Sequence, residues 1–360
     1  MIASRASKTS ALRERVARAL DERREPGGAE VGEALERLLD GAAALDDAIG
    51  LERLQKGVYR LRVNGVTGRT LVIKRHTPAI AHTDRLVAER WLPALGLGDR
   101  CPRLLAAAAQ QEGRWVWHVY EDLRAETIAE RRERARLEAA VDVVARLHTR
   151  GVGHAVLPEV RWHGRDHGAR SSIACLRDGI ALLEALATVR KPARFAAARW
   201  RLLERLYRLF DAAPGLVSRM EKAGGPETLL HGDLGPKNIF VATTSNRCSA
   251  RLIDWDHVGV GPASYDLSTL LYQSSPADRP WMLSRYREAL ARAGHRLPGD
   301  RELNGLFHAA ETARGVNSII WPAMALLNDG AAWGRSGLVD IDDWFESLRP
   351  PLPDSVGGVA

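Results

Sequence analysis

The stretch His231-Gly232-Asp233-Leu234-Gly235-Pro236-Lys237-Asn238 runs directly into Ile239-Phe240-Val241-Ala242 and is followed later by Ile253-Asp254-Trp255-Asp256; its reading decides the rest of this 360-residue chain. A carboxylate at 233 stands five residues before a carboxamide at 238, and a second carboxylate at 254 stands sixteen residues further on. Ile239 to Ala242 and Ala250 to Ile253 flank a polar turn at Thr243 to Asn246, the pattern of a β-hairpin. A hairpin brings its far end back beside its near end, so Asp233, Asn238 and Asp254 could gather round one point. Phosphoryl transfer requires such a point: one carboxylate to orient and deprotonate an attacking hydroxyl, and oxygen ligands for Mg²⁺ on the nucleotide phosphates.

Working outward, the segment before this block reads as helical. Val141, Val144, Leu147 and His148 share a helix face that stops at Gly151; Ile173, Leu176, Ile180 and Leu183 mark a second helix, and Phe195, Leu202, Leu206 and Leu209 a third over 193–210. Helices resume from Ser264. Upstream, the period changes to that of strands: Val58 to Val63 alternates, Asn64-Gly65 is a hairpin signal, and Thr70 to Lys74 is the return strand. Asp84 to Leu95 reads as a helix ending at Gly96 with Pro93 disturbing its last turn, and Trp115 to Tyr120 as an aromatic strand. Residues before 50 carry helix-spaced Leu12, Val16, Leu20 and Val31, Leu35, Leu38, Leu39, broken at Glu25-Pro26-Gly27-Gly28.

Composition bounds the partners. With 45% hydrophobic and 27% charged residues the chain is of the globular class, and charged residues interrupt every apolar run before the ~18 residues of a bilayer span. Three cysteines, Cys101, Cys175 and Cys248, form neither a disulfide framework nor a C-x-x-C pair, which predicts a cytoplasmic location. The net charge of +7 is uneven: Glu159 to Lys222 holds 13 Lys and Arg against 7 Asp and Glu, or +6. No recognition-helix, zinc-finger or aromatic-and-basic strand pattern accompanies it, so no nucleic-acid partner is expected and a solvated Arg-rich face is the reading. Nothing in the sequence signals an oligomeric state.

The H-G-D-x-x-x-x-N and I-D-W-D patterns of residues 231–238 and 253–256 resemble the aminoglycoside phosphotransferase and choline kinase superfamily. The resemblance implies an α+β, protein-kinase-like bilobal fold with a small antiparallel β-sheet lobe and a mainly helical lobe. It divides the chain into a helical extension over 1–50, a nucleotide-binding lobe over 51–120, a helical lobe with catalytic loop and acceptor site over 121–350, and a tail over 351–360. Activity would be ATP- and Mg²⁺-dependent transfer of the γ-phosphoryl group to a hydroxyl of a small molecule. Asp233 would be the catalytic base, Asn238 and Asp254 the Mg²⁺ ligands, and His231 and Asp266 structural supports of the catalytic loop. Lys74 would reach the nucleotide phosphates, with Glu89 on the following helix pairing with it. Gly57 would let a turn approach phosphate, and main-chain groups near Tyr120, Glu121 and Leu123 would hold adenine.

Three features stand apart from this pattern. The kinase loop has Lys two residues after its Asp, whereas this chain has Gly235 there and Lys237 later. Arg165-Asp166-His167 looks like a kinase H-R-D loop, but position 171 is Ser and no carboxylate hairpin follows, so it is set aside as catalytic centre. Asp340, Asp342, Asp343 and Glu346 around Trp344 form an acidic, aromatic cluster able to recognise amines, or simply a solvated helix face. A metal-dependent phosphoester hydrolase is the alternative function, using His231, Asp233, Asp254, Asp256 and His257 as ligands; a catalytically silent nucleotide-binding pseudokinase is a third.

Overall fold

The computed structural model describes residues 13–39, 49–63, 69–188, 192–245 and 247–352. The chain divides into two compact units, one of residues 1–132 with 239–256 and one of residues 133–238 with 257–360.

The first unit is built on a five-stranded antiparallel sheet, β1 (Ile49–Gln55), β2 (Val58–Val63), β3 (Arg69–His76), β4 (Leu104–Ala109) and β5 (Val116–Glu121), in the spatial order β1-β2-β3-β5-β4. The Asn64-Gly65 turn lies outside the described residues, but β2 and β3 pair antiparallel from Val58 opposite Lys74 to Val63 opposite Arg69. Because side chains alternate across a strand, Tyr59, Leu61, Ile73, Trp117 and Val119 are buried on one face of the sheet. Helices at 13–21 and Gly28–Leu39 cover that face, with Val16, Leu20, Val31 and Leu35 in the same core. Burying each such side chain is worth about 1.5–3 kcal/mol, so these helices are part of the unit's core. The break between them is pinned in place: Tyr59 donates to Glu25 Oε1 at 2.8 Å, and Trp117 Nε1 donates to the Pro26 carbonyl at 2.8 Å.

The opposite face of β3 and β5 carries Lys74, His118 and Tyr120, since Lys74 stands across from His118 and Val72 from Tyr120. The following helix starts earlier than Asp84, at Pro78 after Thr77, with proline in the first turn where its missing N–H costs nothing. It widens into a π turn over Val87–Trp91, where the Leu92 N–H reaches back to the Val87 carbonyl, and continues over Leu92–Ala94. Pro93 cannot donate within that stretch, which fits a locally loosened hydrogen-bond ladder. The hairpin Ile239–Thr244 with Arg247–Leu252 pairs with the short strand Glu126–Thr127 to complete this unit.

The second unit is mainly helical. Helices Ala169–Ala185, Ala193–Ala223, Asp300–Asp329 and Trp333–Ser347 enclose a core of Leu176, Leu183, Phe195, Leu202, Leu206, Val316, Ile319, Leu338 and Phe345. The third helix read from sequence runs to Ala223, beyond 210, because it tolerates Pro214 internally. A small sheet, Glu227–Leu230 and Arg165–Asp166 on either side of Gly259–Pro262, was not legible. Its central strand is buried at every position and rich in Gly and Pro, so it shows no alternation. Among the described residues no helix is long and apolar enough to cross a membrane.

Candidate active site

The second unit holds the loop that follows strand Glu227–Leu230. His231 is fully buried, and its backbone N–H donates to Asp266 Oδ2 at 2.7 Å while the Gly232 N–H donates to Asp266 Oδ1 at 2.8 Å. Asp266, in the first turn of helix Ser264–Tyr272, is thereby a clamp on two successive amides. Burial alone would raise its pKa, but the hydrogen bond from His148, the positive fields of His148 and His231 and the Gly232 amide hold it down at about 2. His148 in turn contacts the Tyr286 hydroxyl at 2.7 Å. Gly232 has φ +85°, and a Cβ there would lie 1.9 Å from the His257 carbonyl oxygen, so no other residue fits.

From this brace the loop presents Asp233. The His231 ring accepts the Asp233 N–H at 3.3 Å, and Asn238 Nδ2 donates both to the Asp233 carbonyl at 2.8 Å and to its Oδ2 at 3.2 Å. The Asn238 amide nitrogen is therefore turned toward Asp233, leaving the amide oxygen as the end suited to a cation. Lys237 stands 3.5 Å from Asp233 Oδ2 and is mostly exposed. Arg314 adds support that no sequence signal announced. It donates to the Gly232 carbonyl at 2.7 Å and the Tyr265 carbonyl at 2.8 Å, and lies over the Tyr265 ring at 4.1 Å. The Arg165-Asp166-His167 motif is structural: Arg165 and Asp166 form the edge strand, and His167 Nε2 donates to the His257 carbonyl at 2.8 Å.

The first unit holds the lysine and the carboxylates that close the hairpin. Lys74 Nζ donates to Asp254 Oδ1 at 2.6 Å and to Asp256 Oδ1 at 2.9 Å. Burial would lower the ammonium's pKa, but the two carboxylates outweigh it and hold the value above the ordinary one. Asp256 is displaced upward, chiefly by its own burial and by the neighbouring Asp254 charge, against the pull of Lys74. Asp254 has φ +66°, a conformation that costs a non-glycine residue on the order of 1 kcal/mol and recurs at functional sites.

Glu89 does not partner Lys74. It accepts from Arg85 Nε at 2.7 Å, one helical turn away, and its side chain is 48% exposed. The buried acid of this helix is Asp84, which accepts from the Tyr120 hydroxyl and from His118 Nδ1, the latter at 2.9 Å. Thr77-Pro78 was the available signal, since it moves the helix start forward and places Asp84 in its body. Burial together with the Lys74 charge pushes the His76 pKa down to about 3.

Gly57 takes φ +71° in the tight turn between β1 and β2, and its carbonyl accepts the Arg75 N–H at 2.8 Å. Tyr120 turns its side chain into the Asp84 cluster. Glu121 ends β5 with Oε1 accepting from the Arg103 N–H at 3.0 Å and Arg251 Nη1 at 2.8 Å; Leu123 follows, half-buried.

The charged clusters flagged in the sequence meet each other. Arg201 Nε donates to Asp342 Oδ2 at 2.9 Å, Arg194 Nη2 to Asp343 Oδ2 at 3.0 Å, and Arg205 pairs with Glu346. Much of the acidic cluster therefore neutralises part of the basic segment across two packed helices, and neither is simply a solvated face.

The Phosphotransferase enzyme family model matches residues 50–306. Among curated proteins none matches the sequence. Among solved structures the chain is similar to an ethanolamine kinase of Plasmodium vivax, at 12% identity and TM-score 0.58 over 84% of this chain and 82% of that one. It is also similar to a spectinomycin phosphotransferase solved with ADP and spectinomycin, at 14% identity and TM-score 0.51 over 87% and 97% of the two chains. An amicoumacin kinase solved with AMP-PNP and Ca²⁺ gives 15% identity and TM-score 0.52 over 88% and 95%. These likenesses show the fold.

Proposed function

Since this chain belongs to the phosphotransferase enzyme family, we propose that it is an ATP- and Mg²⁺-dependent kinase that phosphorylates a hydroxyl of a small molecule such as an amino alcohol, a sugar or an amino-sugar antibiotic. The observation that carries the reading is the loop in which Asn238 holds the Asp233 carboxylate while Asp266 clamps the two amides before it. That arrangement fixes one carboxylate's direction and leaves its other oxygen to act as an acceptor. Asp233 would orient the substrate hydroxyl and take its proton, a contribution of typically 10²- to 10⁴-fold.

The donor set suits Mg²⁺, which prefers hard oxygen ligands: the Asn238 amide oxygen and the Asp254 carboxylate would hold it. Bound nucleotide and Mg²⁺ would supply the transferable phosphoryl group and neutralise its charge. Lys74, held cationic by Asp254 and Asp256, would turn its ammonium to phosphate oxygens. Main-chain groups of 120–123 would serve adenine and the Gly57 turn would approach phosphate; Glu89 has no part in this set.

The hydrolase reading would make His231 a metal ligand. That ring is fully buried with Nδ1 already facing the Asp233 amide, which favours kinase chemistry. The pairing of Arg194, Arg201 and Arg205 with the acids of helix Trp333–Ser347 offsets half of the +6 of residues 159–222 and occupies three of the four acids around Trp344, which weakens any choice of acceptor by charge. The test is incubation with Mg-ATP and a panel of amino alcohols, sugars and amino-sugar antibiotics, following ADP release and acceptor mass together. One acceptor should gain a phosphoryl group in step with ADP. Phosphate release with every acceptor unmodified, or nucleotide binding without turnover, would overturn the proposal.

A further inference from the structure

The face of the first unit's sheet that carries Lys74 also carries a buried cluster to which the proposed reaction assigns no role. His76 ends β3 two residues beyond Lys74, His118 stands opposite Lys74 on β5, and Asp84 comes from the helix packed over both. Each is less than a tenth exposed: His76 3%, Asp84 7% and His118 1%. One potential ligand atom from each lies within 4.8 Å of the other two. The imidazole centroids of His76 and His118 are 5.0 Å apart, and the Tyr120 hydroxyl lies 3.0 Å from His118 Nδ1 and 3.3 Å from His76 Nε2.

We propose that His76, Asp84 and His118 form a structural binding site for a divalent transition-metal ion of the Zn²⁺ class, separate from the nucleotide's Mg²⁺. Two imidazoles and one carboxylate are a Zn²⁺ donor set, and nitrogen donors select against Mg²⁺. Ligand bonds of 2.0–2.2 Å in a tetrahedron separate the donor atoms by roughly 3.3 Å. Asp84 Oδ2 and His118 Nδ1 are 2.9 Å apart, so this pair needs to part by only a few tenths of an ångström, and the His76 donor, within 4.8 Å of both, completes the set by a small inward shift of its ring. On binding, the His118 proton moves from Nδ1 to Nε2, freeing the Nδ1 lone pair. Tyr120, which donates to Asp84, then serves to orient that carboxylate or fills the fourth position. The ion would tie helix Pro78–Leu86 to β3 and β5. His76 Nδ1, 3.8 Å from Asp256 Oδ1, links the site to the pair that holds Lys74.

The site rests on first-unit geometry alone, so its test needs no acceptor and no turnover. The full-length chain, purified without chelator or a histidine tag and dialysed against millimolar Mg²⁺, should retain about one zinc per chain by plasma mass spectrometry. After stripping, Zn²⁺ alone should raise the Tm by on the order of 5 °C at a hundredfold excess over its dissociation constant. Co²⁺ should give the visible absorption of a tetrahedral site. His76→Gln and His118→Gln should each lose the retained zinc, whereas Asp254→Asn should keep it. Should the histidine variants fail to fold, the wild-type metal content and Zn²⁺ titration still decide. Substoichiometric zinc with no Tm response would show a metal-free hydrogen-bonded cluster and overturn the proposal, as would zinc lost in Asp254→Asn but kept in the histidine variants.

Discussion

The loop 231–238 and the strand–helix segment 69–94 were both expected to supply the reaction, and they hold their side chains in different ways. Asp266 and Arg314 brace the loop's backbone from distant helices, but the contacts made by Asp233 itself run between residues two to five apart: His231 to Asp233, Asn238 to Asp233. Such contacts follow from local chain geometry, so spacing in the sequence reports them. In the strand–helix segment, Lys74 and the helix acids sit on separate elements, and which acid faces inward depends on where the helix starts and how it turns. The early start at Pro78 and the π turn at Val87–Trp91 set that rotation, burying Asp84 and leaving Glu89 half exposed. A motif within one loop is readable; a pairing across two packed elements is a tertiary property.

Asp266→Ala should have the largest effect on stability, about 3–5 kcal/mol by urea denaturation, because it orphans the His231 and Gly232 amides in a fully buried site. Asp266→Asn should cost less, since an amide oxygen still accepts one N–H. The same group sets an acid limb. Its pKa is depressed from 3.8 to about 2, so its contribution is present above pH ~4 and is lost as pH falls through about 2. A shift of that size corresponds to on the order of 2 kcal/mol, checked by comparing the pH dependence of stability in wild type and Asp266→Asn.

Asp342→Ala is the next step down. Asp342 is wholly buried, and its removal frees Arg201 to reach solvent, so the cost should be about 1–2 kcal/mol with turnover retained. Glu89→Gln should be smallest, within about 0.5 kcal/mol and without effect on nucleotide turnover, since its exposed pair with Arg85 contributes little. A large rate loss in Glu89→Gln would show that Lys74 exchanges partners during the reaction and that the helix acid does act across the two elements.

Much of the fold was legible because its signals are periodic. Alternation gave β2, the hairpin signal gave its return strand β3, aromatic content gave β5, and 3.6-residue spacing gave the helices at 134–151 and 169–185 and the 193–210 part of the helix that runs to Ala223. The small second-unit sheet was hidden because a strand buried on both faces has no alternation, as in Gly259–Pro262. The N-terminal helices read correctly as helices, yet their packing against Tyr59, Ile73 and Trp117 could not be inferred from amphipathicity, which reports a buried face and not its partner. In the same way, the net charge of residues 159–222 gave no hint that three of its arginines meet acids some 140 residues away.

Asp233, the proposed base of a phosphoryl transfer, can be tested by a single substitution. The direct measurement is transfer of labelled phosphate from Mg-ATP to the acceptor found in the panel, in wild type and in Asp233→Asn, with the Tm of both recorded. Asp233→Asn should lose about 10²- to 10⁴-fold in kcat with the Tm nearly unchanged. Wild-type turnover in a folded Asp233→Asn protein would contradict that role.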